Sequence, residues 1–182
     1  MEELIKQAID GNEEAYISLI KSMQSDLFRI ASTRLSNIDD INDAIQETII
    51  ISYKELKKLK HIEYFKTCLI KILINECNLI YRKRYRQLNI FNKLLNTNGY
   101  ENKEDNSIQI KEHELDFDIL IKKLNYDEKI VITLYYNDRF STQEIAKILN
   151  ISVNTVKSRL TRAKQKIKHD YEKGGVGNGT KK

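Results

Sequence analysis

Near the end of the chain Lys157, Arg159, Arg162, Lys164, Lys166 and Lys168 follow one another with no acidic residue between them. Cations packed this densely can hold the phosphate oxygens of a polyanion, and an arginine can also pair bidentately with the edge of a guanine. Ser152, Asn154, Thr155, Ser158 and Thr161 lie in the same stretch and can add bonds to base edges or phosphates. The blander reading is a solvated basic face on an ordinary amphipathic helix. A second cluster sits near the front: Asp39, Asp40, Asp43, Gln46 and Glu47. Catalytic groupings are missing. His61, His113 and His169 are scattered, there is no glycine-rich phosphate loop, and no Ser or Cys is spaced to meet a His. Without a CxxC or a close His–Cys grouping, neither zinc nor any other metal or cofactor is expected. Cys68 and Cys77 lie in an apolar helical stretch and read as buried thiols, not as a disulfide framework.

Charge is divided along the chain. Residues 1–55 carry 5 Lys/Arg against 11 Asp/Glu, whereas residues 56–182 carry 26 against 15. That asymmetry suggests an acidic face for a basic partner and a basic face for a polyanion. No apolar run reaches membrane-spanning length and no signal peptide is visible at the start, so a cytoplasmic protein with no membrane insertion is expected. Proline is absent and glycine scarce, which favours an all-α fold.

The elements that position these residues follow from periodicity. Residues 2–9 predict a short helix, broken at Asp10-Gly11-Asn12. A second helix over about 13–35 has Leu19, Met23, Leu27, Ile30 and Ala31 on its inner stripe. After a turn at Ser36-Asn37-Ile38, Asp39 or Asp40 is placed to cap a helix reaching about residue 58, with Ile41, Ala44, Ile45, Thr48 and Ile49 inward. A fourth helix begins near Glu63 and ends in RKRYR, apolar around much of its circumference at Phe65, Leu69, Ile72, Leu73, Leu79 and Ile80. Residues 1–86 thus form a first helical domain. Residues 87–115, rich in Asn, Lys, Glu and Asp, read as a flexible linker. Residues 116–172 form a second small helical domain with Phe117, Leu120, Ile121 and Leu124 in one stripe and Ile130, Val131 and Leu134 in another after a cap at Asn125. Residues 173–182 are a flexible glycine-rich tail.

The second domain ends in STQEIAKILNISVNTVKSRLTRAKQKIK. Ser141-Thr142-Gln143-Glu144 is a capping box. Ile145, Ile148 and Leu149 face inward, and Ala146 is small where a second helix must approach. Asn150 tolerates a left-handed turn, Ile151 plugs it, and Ser152 caps a helix with Val156, Leu160, Ala163 and Ile167 inward. This is a helix-turn-helix pattern whose last helix has the chemistry to lie in a DNA major groove.

Three segments, in order, resemble bacterial RNA polymerase sigma factors of the extracytoplasmic-function type in the sigma-70 family. DDINDAIQETIIISYKELKKL is similar to the family's core-polymerase-binding helix, EYFKTCLIKILINECNLIYRKRYR to the helix that follows it, and EIAKILNISVNTVKSRLTRAK to its helix-turn-helix ending. The resemblance spans about residues 4–172. It implies a non-catalytic subunit that binds core RNA polymerase and directs promoter-specific initiation at minus-10 and minus-35 elements. It also implies that Asp39, Asp40, Asp43, Gln46 and Glu47 dock on the β′ coiled coil, that the β flap is a further contact, and that an anti-sigma factor is a possible partner. For Asp43 and Glu47 the alternative is a solvated helix face. Asn75 matches the position beside the melted minus-10 element, the alternative being a tolerated polar helix residue. Lys58, Lys60 and His61 lie in the loop that holds a flipped base in the family, and Arg82, Lys83, Arg84 and Arg86 match the basic helix end that tracks the duplex. Those four cations also suit a helix C-terminus by its dipole. Lys157, Ser158, Thr161 and Arg162 match positions facing the minus-35 element, with Ser152, Asn154, Thr155 and Lys164 beside them; Arg159 either binds phosphate or supports the fold.

The sequence departs from the family pattern in places. Cys68 stands where the family has tryptophan, which should loosen the first core or be offset by Phe65 or Tyr64. Leu73-Ile74 replaces an alanine–arginine pair, and Ala44-Ile45 and Asn42 alter the docking helix. By resemblance, Glu101, Glu104, Asp105, Glu112 and Glu114 of the linker would thread toward the polymerase cleft. The rival reading is a stand-alone helix-turn-helix regulator that dimerises on paired half-sites. No sustained heptad seam supports dimerisation, so a monomer is expected when free.

Overall fold

The computed structural model describes residues 1–94, 121 and 123–174, and all regular structure among them is helical. The chain divides into two compact units, Met1–Ser107 and Ile108–Lys182. Phe117, Leu120 and the linker carboxylates Glu101, Glu104, Asp105, Glu112 and Glu114 lie outside the described residues, as does the tail from residue 175.

The first unit contains α1 (Glu2–Ile9), α2 (Glu13–Ala31), α3 (Ile38–Leu56), a 3-10 turn at Ile62–Tyr64 and α4 (Phe65–Leu94). Gly11, at φ +100°, makes the break between α1 and α2 with a backbone that side-chain-bearing residues avoid. Asn12 then caps α2, its side chain accepting from Ala15 N–H at 3.0 Å. The cap of α3 differs from expectation. Asn37, not Asp39 or Asp40, accepts from the N–H groups of both Asp39 and Asp40, at 2.8 and 3.1 Å. The two aspartates therefore lie in the first turn, where the helix dipole favours negative charge. Leu19, Met23, Leu27 and Ile30 of α2, Ile41 and Ala44 of α3, and Leu69, Ile70 and Leu73 of α4 form one sealed core. Buried hydroxyls are satisfied locally: Thr48 donates to Ala44 O at 2.6 Å, and the Tyr16 phenol donates to Ile49 O at 2.8 Å with Ser52 Oγ at 2.6 Å.

Two expectations for α4 are corrected. Phe65, Leu69 and Leu73 are buried as expected, but the sealed face also takes in Ile70, Ile74 and Cys77, Ile72 and Ile80 are only half-buried, and Leu79 falls outside it with 55% exposure. Cys77 is buried, but Cys68 is exposed, so the missing tryptophan costs this core nothing directly. Phe65 is buried and Tyr64 exposed. The helix also continues through RKRYR to Leu94, because Arg, Lys and Gln are good helix formers and no glycine or proline intervenes.

The second unit contains α5 (Tyr126–Ile132), a π-helical turn (Thr133–Asn137), α6 (Thr142–Leu149) and α7 (Val153–Gly174). Asn125 and Glu128 form a reciprocal capping box at α5. Ile130, Val131, Leu134, Ile145, Ile148, Val156 and Ala163 are its sealed centre. Ile167 is only half-buried.

Candidate nucleic-acid and partner interfaces

In the second unit, the helix-turn-helix geometry is built residue by residue. Ser141 Oγ accepts from Glu144 N–H at 3.2 Å, and the Glu144 carboxylate accepts from Ser141 N–H at 2.8 Å, which fixes the start of α6. Asn150 ends α6 in the left-handed region, φ 53° and ψ 49°, with its N–H on Ala146 O. The chain thereby turns in three residues, Asn150–Ser152, and Ser152 Oγ accepts from Thr155 N–H at 3.0 Å to open α7.

The cations of α7 are not equivalent. Arg159 donates to Asp127 Oδ2 at 2.8 Å and Lys166 to Glu128 Oε2 at 2.7 Å. These two residues, seven apart and so on one side of α7, hold it against the first turn of α5. Of the two roles open to Arg159, supporting the fold is the one its geometry serves. Lys164 lies 5.7 and 5.5 Å from the ring centroids of the exposed Tyr135 and Tyr136. The hydrogen bond and charge of the Tyr136 side chain hold the Lys164 ammonium above its ordinary pKa. Lys157, Ser158, Thr161 and Arg162 are exposed, and so are Ser152 and Asn154, with Thr155 half-buried. Ser158 and Thr161 donate to Asn154 O at 2.7 Å and Lys157 O at 3.0 Å, which leaves lone pairs on their oxygens for further donors. The pairing of Asp127 and Glu128 with cations far along the chain, and the tyrosine pair, were not anticipated; no local pattern marks contacts across such a separation.

In the first unit, Asp39, Asn42, Asp43, Gln46 and Glu47 are exposed along α3, and Ile50 extends that face. Asp40 departs from the group. Its side chain is 12% exposed and carries an ion pair to Arg84 Nε, with Arg84 Nη2 donating to its other oxygen at 2.7 Å. It is turned inward and ion-paired, and so is not exposed together with Asp39, Asp43, Gln46 and Glu47. Glu76 of α4 is half-buried, and burial together with the charge of Glu47 raises its pKa.

The DNA-facing candidates of this unit separate in the same way. Asn75, Arg82, Lys83 and Arg86 are exposed on α4. At about 100° per residue, Asn75, Arg82 and Arg86 lie within about 20° of one line, while Arg84 falls about 180° from Asn75. Lys58, Lys60 and His61 are exposed in the preceding loop, where Lys58 donates to Glu55 at 2.7 Å and His61 lies 3.5 Å from Glu63. Among the described residues no group of His, Cys, Asp and Glu could hold a metal ion, and no helix is long and apolar enough to cross a membrane.

Comparison with known proteins adds an independent line. Residues 115–167 match the family model "Sigma-70, region 4". Over 176 residues the chain is 27% identical to the ECF RNA polymerase sigma factor SigW of Bacillus subtilis, covering 90% of this chain and 92% of that protein. It is 25% identical over 174 residues to the ECF RNA polymerase sigma-E factor of Escherichia coli, covering 90% of each. Among solved structures, the sigma factor RpoE of Bartonella quintana, crystallised with the anti-sigma factor NepR, superposes with a TM-score of 0.68 at 23% identity over 90% of this chain and 98% of that one. CnrH in complex with the cytosolic domain of CnrY gives 0.65 at 22%, over 94% and 96%.

Proposed function

Since this chain belongs to the extracytoplasmic-function sigma factors of the sigma-70 family, non-enzymatic proteins that direct transcription initiation, we propose that it divides promoter recognition between its two units. Core polymerase docks on Asp39, Asp43, Gln46 and Glu47 of α3. Asn75, Arg82, Lys83 and Arg86 of α4, with Lys58, Lys60 and His61, receive the minus-10 region. Lys157, Ser158, Thr161 and Arg162 of α7 face the minus-35 element, flanked by Ser152, Asn154 and Thr155. The observation that carries this reading is the separation of signs: an exposed acidic face on α3, and exposed cations on α4 and α7.

The polymerase supplies the chemistry. This chain's residues supply docking and addressing. Cations at α4 and α7 give a salt-dependent hold on phosphates, and Arg162, if bidentate to a guanine, would discriminate by ~1–3 kcal/mol. Two weak DNA grips tied to one partner reinforce each other through effective concentration. The complex of the similarly folded RpoE with the anti-sigma factor NepR supports a similar masking partner for these surfaces. The test is transcription from a panel of promoter fragments by core polymerase with and without this protein. Initiation is expected only with both present, and the protein alone should leave little footprint. A tight footprint without polymerase would instead establish the stand-alone regulator.

A further inference from the structure

We propose that Arg84 is a positioning residue and not a phosphate contact: held on the inward carboxylate of Asp40, it locks the basic end of α4 to the start of α3, so that the polymerase-facing and minus-10-facing surfaces are one rigid body. The inference rests on the functional reading above.

Three observations carry it. First, Arg84 lies seven residues beyond the buried Cys77 and so continues the inner stripe of α4, about 180° from Asn75. A guanidinium facing α3 cannot also face a duplex lying along Arg82 and Arg86. Second, the contact is a two-point fork, with Nε and Nη2 of Arg84 on the two oxygens of Asp40. A fork fixes direction as well as distance. Third, residues 81–87 are all exposed, so beyond the continuity of the helix itself no buried packing holds this segment to α3. Among the described residues, its side-chain ties to the rest of the unit include this pair and, one turn earlier, the Arg34 guanidinium 3.6 Å above the Tyr81 ring. The backbone of Asp40 is held by the Asn37 cap, which accepts its N–H, and its charge sits in the first turn of α3, where the helix dipole favours it. Arg82, Lys83 and Arg86 make no ion pair with another described residue, which leaves their charges for phosphates.

The test uses the full chain in holoenzyme with core polymerase, on a promoter fragment selected by the wild-type holoenzyme from a random-sequence pool. Strand opening is followed by permanganate reactivity across a salt series. Asp40→Asn, Arg84→Met, the double variant and Arg82→Met are compared, with association to core measured separately. Asp40→Asn and Arg84→Met should each slow opening about tenfold, as coupling within a charge network allows, and the double variant should be no slower than either. The charge swap Asp40→Arg with Arg84→Asp should recover part of the loss. Arg84→Met should leave the slope of log affinity against log salt unchanged, whereas Arg82→Met should reduce it by about one. Circular dichroism melts show whether each variant is folded at the assay temperature; should Arg84→Met melt there, Arg84→Lys, which keeps one bond but loses the fork, must give an intermediate opening rate. A slope that falls by about one in Arg84→Met, or multiplying losses in the double variant, would overturn the inference while leaving the functional reading intact. A wild-type chain that selects and opens no fragment would remove both.

Discussion

Asp43→Arg reverses the charge at the middle of the acidic face of α3. Asp43 is exposed and flanked at four-residue steps by Asp39 and Glu47, so in the native helix it is repelled from both sides. Each such like-charge pair costs ~0.2–0.5 kcal/mol, and reversal turns both into attractions of similar size. Position 43 lies beyond the first turn of α3, where the adverse dipole effect of a cation has faded. Folding should therefore be unchanged or slightly favoured. Docking should not be. Removing one member of a close interfacial charge pair costs ~2–5 kcal/mol, or roughly thirty- to several-thousandfold in affinity, and reversal adds repulsion. The assay is binding of the variant to core polymerase by fluorescence anisotropy, beside a circular dichroism melt of the free chain. The expected result is lost association at an unaltered melting temperature. Association within threefold of wild type would refute the placement of the docking face, and a collapsed melt would show that Asp43 is not on a free surface.

Further outcomes follow from the same structure. Arg162→Ala should weaken initiation most on promoters with an intact upstream element; equal loss across all upstream-element variants would assign Arg162 to phosphate alone. Asn150→Val should destabilise the helix-turn-helix by ~1–2 kcal/mol in denaturant melts because a branched side chain is strained at φ 53°, whereas Asn150→Gly should stay near wild type. Iodoacetamide should label Cys68 in the native chain and spare Cys77, which burial both covers and pushes up to about 12. Because that folded value is raised above 9.0, the Cys77 contribution to stability is complete below pH 9.0 and is lost as pH rises toward about 12; Cys77→Val should flatten that part of the pH–melting curve, and an unaltered alkaline limb would count against it.

The helix-turn-helix was readable because its signals are local. A capping box, a residue tolerant of the left-handed backbone and a four-three-four apolar stripe each act within one or two turns, and the hydrogen bonds of Ser141, Asn150 and Ser152 follow directly. The division of sign between the two halves of the chain was equally a property of composition. Among the described residues, what went astray, besides the cap of α3 and the end of α4, was which way individual side chains point. Leu79 and Cys68 could not be placed from a helix apolar on most sides, since several stripes fit such a pattern and only the neighbours α2 and α3 choose among them.

Local order and overall sign were thus set by sequence alone: a front unit of helices with an acidic face, and a back unit ending in a basic helix after a three-residue turn. Tertiary structure decided which charges remain available. Asp40 and Arg84, separated by 44 residues, cancel each other; Arg159 and Lys166 are taken by Asp127 and Glu128. The physical reason is that the range of a charge's influence is measured through space. A list of residues gives the number of carboxylates and cations, but only packing says which of them meet inside the fold and which are left facing outward for a partner.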